Sequence, residues 1–200
     1  SEVVGFDAFD ARRDELASAG IVLKKGVDPS TDLEPEYIAV SGGKAYVTLQ
    51  ENNAIAVLDL ASRTFDGIYS AGFEDYSVTP IDIDKKDDAY APRTYGSLMG
   101  IRMPDGIAAF QVDGKTYLLT ANEGDAREWG DEDLGTFYLS EDEQAFGEEG
   151  VTSPTGAITG ENSGLEGKVV FFKVEDFDGL DSGKDYLFGD RKSTRLNSSH

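Results

Sequence analysis

The sequence predicts an all-β domain, a partial β-propeller of four-stranded antiparallel meander blades with long acidic loop insertions. Short runs of β-branched and aromatic residues alternate with tight turns, and one group of these runs recurs farther along the chain. The segments between them are acidic and contain many Gly and Pro residues. A β-sandwich also uses short strands and Gly-rich turns, but a recurring turn pattern favours repeated blades.

The clearest meander spans residues 36–70, which we expect to form one blade. Three turns containing Gly, Asn or Ser separate four runs that are typical of strands. The first three runs are apolar on both faces, which indicates a sheet that is covered on each side. The four runs are 37–41, 44–50, 54–60 and 64–70.

The pattern of this blade recurs in the region of residues 104–124. Gly42-Gly43 corresponds to Asp113-Gly114, and Lys44 and Tyr46 correspond to Lys115 and Tyr117. A propeller blade takes about 40–50 residues, so the spacing leaves residues 71–103 as an acidic insertion. We expect residues 104–175 to supply further blade strands, including one at 168–174, with a long loop between them.

The beginning of the chain predicts one short helix. Residues 1–35 form a leading segment, in which Asp10 to Ala19 is expected to be helical, with Asp10 as N-cap and Gly20 just past the end. Residue 1 is Ser, and at most three blade-like units are visible. We therefore expect residues 1–189 to be a fragment of one propeller domain.

The last eleven residues, 190–200, differ from the rest because they are basic and polar. Their sequence, DRKSTRLNSSH, is identical to the in-frame translation of a common DNA-sequencing adapter. We expect this segment to be a non-native tail that makes no packed contacts with the domain.

Composition excludes several functions. The chain has 39 acidic against 18 basic side chains, a net charge of −21, and this field repels nucleic acid. It has no cysteine and a single histidine, His200, so thiol nucleophiles, Ser–His pairs and histidine-ligated zinc are excluded. No run approaches the roughly 20 apolar residues of a membrane helix.

Carboxylates remain as the candidate functional groups. Asp82, Asp84, Asp87 and Asp88 fall within seven residues of the 71–103 insertion. Calcium takes 6–8 oxygen ligands from flexible loops, so this spacing predicts a Ca²⁺ site. The segment lacks the Gly and the final Glu of an EF-hand loop, and a solvated acidic loop is an equal alternative.

A second polar block, residues 122–128, follows a predicted strand and begins a loop. Propellers place their functional groups in such loops. Glu123, Asp125 and Arg127 are candidate ligand or metal contacts. Arg127 is also able to pair with Asp125 or Glu128, and we favour a structural pairing between blades because polar groups buried there need partners.

Three blocks carry a family resemblance: residues 32–40, residues 45–54, and residues 104–108 together with 120–128. Together they resemble the bacterial choice-of-anchor I proteins, which are also described as mesenchyme-specific cell surface glycoprotein-like. The strand at Tyr46 resembles the YVTN class of propeller repeats. The resemblance implies a secreted or surface-anchored propeller, and some family members carry a phosphatase or nuclease domain. It identifies no catalytic residue in this chain.

These observations predict a non-enzymatic module at the cell surface or outside the cell. We expect it to bind an unknown extracellular ligand or surface component, with Ca²⁺ as its only cofactor. The alternative is a calcium-dependent phosphoester hydrolase of the phytase or alkaline phosphatase kind, of which this chain is a part. A quinone- or lactone-dependent enzyme is disfavoured because histidines are missing.

Overall fold

The computed structural model describes residues 2–83, 89–129, 139–140, 143–145, 153–159, 170–189 and 194–197. Helices are few and short, and strands dominate. Over these residues no helix has the length and apolar character needed to cross a bilayer. The helices are a 3₁₀ turn at Asp7–Arg12, α1 (Arg13–Ser18), α2 (Pro29–Asp32) and a 3₁₀ turn at Val174–Asp176. The strands are β1 (Leu23–Lys24), β2 (Ile38–Ser41), β3 (Lys44–Leu49), β4 (Ala54–Asp59), β5 (Thr64–Ser70), β6 (Phe73–Asp75), β7 (Leu98–Ile101), β8 (Pro104–Val112), β9 (Lys115–Asn122), β10 (Glu128–Trp129), β11 (Leu139–Ser140), β12 (Glu143–Ala145), β13 (Val170–Phe172), β14 (Phe177–Asp178), β15 (Asp185–Phe188) and β16 (Thr194–Asn197).

The first meander, β2–β5, is confirmed. Its four strands pair in sequence order, and every pair is antiparallel. A register shift between Val57 and Leu58 bends the last pair. The predicted strand bounds differ from the observed ones by no more than a residue at each end, because the turns contain residues that end strands sharply.

The hairpin β8–β9 repeats the hairpin β2–β3 in the same register. Phe110 pairs with Tyr117 as Ala39 pairs with Tyr46. Both hairpins turn through two residues with positive φ, at 59° and 78° for Gly42 and Gly43, and 50° and 76° for Asp113 and Gly114. This is the type I′ geometry that matches the twist of paired strands. The repeat seen in the sequence is therefore a repeat of structure.

Strand β16 adds antiparallel to β9 on the side away from β8, as β4 adds to β3 on the side away from β2. Leu196 pairs with Leu118 as Ala56 pairs with Val47. The prediction that residues 190–200 make no packed contacts is therefore wrong for 194–197. The physical reason is that an open strand edge offers backbone donors and acceptors, which an extended segment of almost any sequence is able to satisfy.

The two repeated sheets stack on each other. We call the side of each sheet that carries Tyr46 or Tyr117 its A face, and the opposite side, which carries Val47 or Leu118, its B face. Tyr46, Ile55 and Val57 on the A face of the first sheet pack against the B face of the second, where the contacts are Leu118, Ile107 and Ala109. The B face of the first sheet is covered by apolar side chains of the leading segment, including Phe6, Phe9 and Leu16.

A third, mixed sheet has the strand order β12-β13-β15-β7-β6. The 71–103 insertion supplies β6 and β7, and β7 pairs in parallel with β15. Leu98, Ile101, Phe171 and Phe172 are fully buried in this sheet, which gives the insertion an apolar core shared with residues 170–188. The described residues form an all-β fold whose sheets are largely antiparallel. These sheets do not close into a ring.

The helix of the leading segment differs from its prediction. The α-helix begins at Arg13, after the 3₁₀ turn, so Asp10 as its N-cap is wrong. The carboxylate of Asp10 instead accepts hydrogen bonds from the amide and hydroxyl groups of Ser30, at 2.8 and 2.9 Å. A tertiary contact with the first turn of α2 thus uses the side chain that was expected to cap the helix. Gly20 follows the end of the helix with a φ of 84°, as predicted.

Candidate functional site

The turn between β3 and β4, Gln50–Asn53, lies at the centre of a buried polar junction. All four of its residues are buried. The side-chain amide of Gln50 donates to the carbonyl of Glu123 at 2.9 Å, and that of Asn53 donates to the carbonyl of Gly72 at 2.9 Å. The turn therefore joins the first meander to the loop after β9 and to the start of the third sheet.

Arg127 and Asp32 form a fully buried ion pair at this junction. The Nε of Arg127 lies 3.2 Å from Oδ1 of Asp32, and its Nη2 donates to the carbonyl of Val22 at 3.2 Å. The other carboxylate oxygen of Asp32 accepts from the amide of Lys24 at 3.0 Å and from the side chain of Asn52 at 3.1 Å. The 3.2 Å contact between Nε and Oδ1 is an ion pair without a hydrogen bond. Together with the hydrogen bonds to Val22, Lys24 and Asn52, this pair fastens the leading segment to the two stacked sheets.

The three ligand candidates of the 122–128 block have different surroundings. Arg127 is enclosed, with its guanidinium 5.1 Å from the ring centre of Phe177. Glu123 and Asp125 are exposed, and the Asp125 carboxylate accepts from the amide of Ala126 at 2.9 Å. A buried, paired Arg127 is a structural group. The sequence gives no signal for its partner, because Asp32 lies 95 residues away along the chain.

Glu51 is the most unusual ionisable group of the junction. Its side chain is 7% exposed, and its Oε2 atom accepts no hydrogen bond. The pKa of this carboxyl is raised from 4.5 to about 7, mainly by burial. The charges of Glu34 and Glu36 also raise this pKa, while the Glu51 backbone amide and Arg127 lower it. Sequence reasoning missed this residue, since an acidic residue in a turn is usually solvated.

A second buried carboxylate, that of Asp185, joins residues 153–155 to the start of β7 by hydrogen bonds. Its Oδ2 atom accepts from three hydroxyl groups: Ser97 and Ser153 at 2.8 Å each, and Thr155 at 2.7 Å. Its Oδ1 accepts from the amide of Thr155 at 2.9 Å. Four donors satisfy this fully buried group, which fixes residues 153–158 against β7 and β15.

The segment fixed by Asp185 forms one wall of an open cleft of about 540 Å³. This volume is in the range of small-molecule sites, about 300–1,000 Å³. Ser97 and Ile158 belong both to the cleft and to the Asp185 network, since the amide of Ile158 donates to the Ser153 hydroxyl at 3.0 Å. Among the described residues of the lining, Arg93 is the one that carries a charge. The cleft is lined by Arg93, Thr94, Tyr95, Gly96, Ser97, Ala157, Ile158 and Gly183.

The predicted calcium cluster lies mostly outside the described residues. Asp84, Asp87 and Asp88 fall in the gap between residues 83 and 89, and Asp82 lies at its edge, where its Oδ2 accepts from the amide of Ala91 at 2.8 Å. In the part of the chain that the structure describes, no three His, Cys, Asp or Glu side chains are grouped closely enough to hold a metal ion.

The sheets and the junction define a class: an all-β protein with stacked, repeated antiparallel sheets, held together by buried polar contacts. The family model of the choice-of-anchor I domain matches residues 1–191, so the chain belongs to this family, as its sequence blocks indicated. Membership associates the chain with the cell surface. Comparisons with curated proteins and with solved structures each gave no match.

Proposed function

We propose that this chain is part of an extracellular or cell-surface β-propeller that binds a ligand and is not an enzyme. Two sheets that share a hairpin register and stack A face to B face support the propeller, because neighbouring blades repeat and stack in this way. Family membership supports the location. The observation that carries ligand binding is the cleft beside Asp185.

The cleft suits an uncharged polar ligand, such as a saccharide of the cell surface. Thr94 and Tyr95 are hydroxyl-bearing residues of its lining, and Tyr95 is also aromatic, while the Ser97 hydroxyl already donates to Asp185. A net charge of −21 opposes the approach of polyanions, whereas a neutral polyol is not repelled. Because the Asp185 network fixes one wall, little ordering is needed when a ligand binds.

Binding of neutral oligosaccharides tests this proposal. The chain would be applied to a glycan array, and hits would be measured by calorimetry. Ala157→Trp fills the cleft from an exposed position, and Ala61→Trp makes the same change in an exposed turn of the first meander. We expect Ala157→Trp to weaken binding at least tenfold and Ala61→Trp to leave it unchanged. If both variants bind equally well, the ligand does not bind in this cleft.

Calcium is the second part of the proposal. Asp82, Asp84, Asp87 and Asp88 offer four carboxylates within seven residues of a strongly acidic chain, where repulsion between like charges opposes a compact loop. A bound Ca²⁺ would relieve that repulsion, since flexible loops of oxygen ligands are the sites that calcium prefers.

A further inference from the structure

Glu51 differs from the three other residues of the Gln50–Asn53 turn. The side-chain amides of the other three each donate to a carbonyl outside the turn: Gln50 to Glu123, Asn52 to Val22 and Asn53 to Gly72, each at 2.9 Å. Glu51 is also buried, but its Oε2 atom accepts no hydrogen bond. A buried carboxylate oxygen without a donor is costly to ionise, because nothing replaces the water that it loses.

The charges around Glu51 add to this cost. Glu34 and Glu36, in the segment between α2 and β2, disfavour a negative charge on Glu51, whereas Arg127 in the loop after β9 favours one. The charge of Arg127 is already engaged by the Asp32 carboxylate, which lies 3.2 Å from its Nε. An ionised Glu51 would therefore meet two like charges and a cation that has another partner. Opening the turn to water lowers this cost.

Three backbone amides from other parts of the chain depend on this turn. The amides of Val22 and Ala71 donate to the carbonyls of Asn52 and Asn53, at 2.9 and 2.8 Å, and the amide of Met103 donates to the side-chain carbonyl of Asn53 at 3.1 Å. These amides lie in the leading segment, just before β6, and between β7 and β8. Strands β3 and β4 are held by their own pairing, so the turn is able to open without loss of the hairpin.

We propose that the Gln50–Asn53 turn is a pH-dependent contact, which is closed while Glu51 is protonated and opens to water when Glu51 ionises. Opening would release the leading segment, the start of the third sheet and the loop after β9 from the first meander together. The pKa of Glu51 is about 7 in the closed turn against 4.5 in water, so opening becomes easier as the pH rises between these values and levels off above them. The cleft and its ligand play no part in this contact.

Amide hydrogen exchange of the full chain, followed by NMR from about pH 5 to about pH 9, tests the proposal. Rates are divided by the intrinsic exchange rate at each pH, so that opening alone is compared. We expect the protection of the Val22, Ala71 and Met103 amides to fall about tenfold between about pH 5 and about pH 8, and to change little above that. The amide of Leu60, which donates to Gly43 at 3.1 Å at the other end of the β3–β4 hairpin, should keep its protection.

Two variants separate Glu51 from the other carboxylates. Glu51→Gln removes the charge and should hold the protection of the three amides at its acid value over the whole pH range. Glu175→Gln removes one exposed charge elsewhere and should behave as the wild type. Retained pH dependence in Glu51→Gln, or an equal loss of protection at Leu60, would overturn the proposal.

Two further measurements on the wild type do not need a variant that folds. Low concentrations of urea should barely change exchange at the three amides, because a local opening exposes little surface; a dependence as steep as that of global unfolding would overturn the proposal. The carbon NMR signal of the Glu51 carboxyl should titrate near pH 7, and titration near its ordinary pKa of 4.5 would also overturn it. Titration near pH 7 without any loss of protection would show that Glu51 ionises inside a closed turn, and the pH-dependent contact would be wrong.

Discussion

Replacing Glu51 by Gln should stabilise the protein at neutral and alkaline pH. The folded state raises the pKa of the Glu51 carboxyl from 4.5 to about 7, mainly by burial, so folding disfavours its charged form. Gln has almost the same shape and carries no charge at any pH. The substitution therefore removes the cost of a buried carboxylate while it keeps the packing of the Gln50–Asn53 turn.

The sign and size of the effect follow from proton linkage. Below about pH 4.5 the carboxyl is protonated in both the folded and the unfolded states, and it contributes no difference. As the pH rises to about 7 the unfolded state loses a proton that the folded state keeps, so stability falls. The full change in pKa lowers the free energy of unfolding by about 3 kcal/mol at high pH, since a pKa change of one is worth about 1.4 kcal/mol. Water that reaches the turn reduces this to about 1–2 kcal/mol.

Urea unfolding near pH 4.5 and near pH 8 measures the effect. Glu51→Gln should gain about 1–2 kcal/mol over the wild type at the higher pH and almost nothing at the lower pH. Glu175→Gln is the matched control, because it removes one negative charge at an exposed position and so reports general charge repulsion. Equal effects of the two substitutions, or a Glu51→Gln effect independent of pH, would refute the reasoning.

Four further predictions concern the remaining polar networks and turns. Asp32→Asn and Arg127→Met should each cost about 3–5 kcal/mol in urea unfolding, because each leaves a buried charge without its partner; a double variant that costs the sum of the two would contradict a direct pair. Asp185→Asn should cost about 2–3 kcal/mol and speed amide exchange in residues 153–158, since an amide donor then faces hydroxyl donors; unchanged exchange would show that other contacts hold the segment. Gly114→Ala should cost about 1–2 kcal/mol because the φ of 76° strains an L-residue, whereas Gly96→Ala, which has ordinary φ and open space, should cost nothing. Millimolar Ca²⁺ should raise the melting temperature more than Mg²⁺ or matched sodium chloride, by the equivalent of about 2.7 kcal/mol at a hundredfold excess over Kd; a shift that survives Asp84→Asn with Asp87→Asn would place the ion elsewhere.

Local signals explain what the sequence could predict. The strands of 36–70 and the second hairpin follow from short apolar runs bounded by Gly-Gly and Asp-Gly, and such turns tie each strand to its neighbour. The third sheet has no such signal. Its strands β6, β7, β13 and β15 have three or four residues each and come from distant parts of the chain, and the parallel pair β7–β15 has no connecting turn.

The candidate site also depends on contacts between distant parts of the chain, which local sequence signals do not predict. The polar block at residues 122–128 was recognisable, but the role of Arg127 depends on Asp32, and no pattern in the sequence links them. The high pKa of Glu51 depends on the leading segment and the loop after β9, which enclose a turn that would be exposed in an isolated hairpin. Burial by tertiary contacts, not residue type, decides which of the 39 acidic side chains have a buried partner or a raised pKa.

The free edge of β9 bears on what the chain can meet while it folds. The first meander forms all its pairs within residues 38–70, so each step closes a short loop. In the second sheet, residues 2–189 as described supply only the hairpin β8–β9, and the strand that covers the far edge of β9 comes from the segment predicted to be non-native. During synthesis the first meander should therefore be complete while the edge of β9 is still bare, and this edge is where a nascent chain would be bound by a chaperone or by another strand.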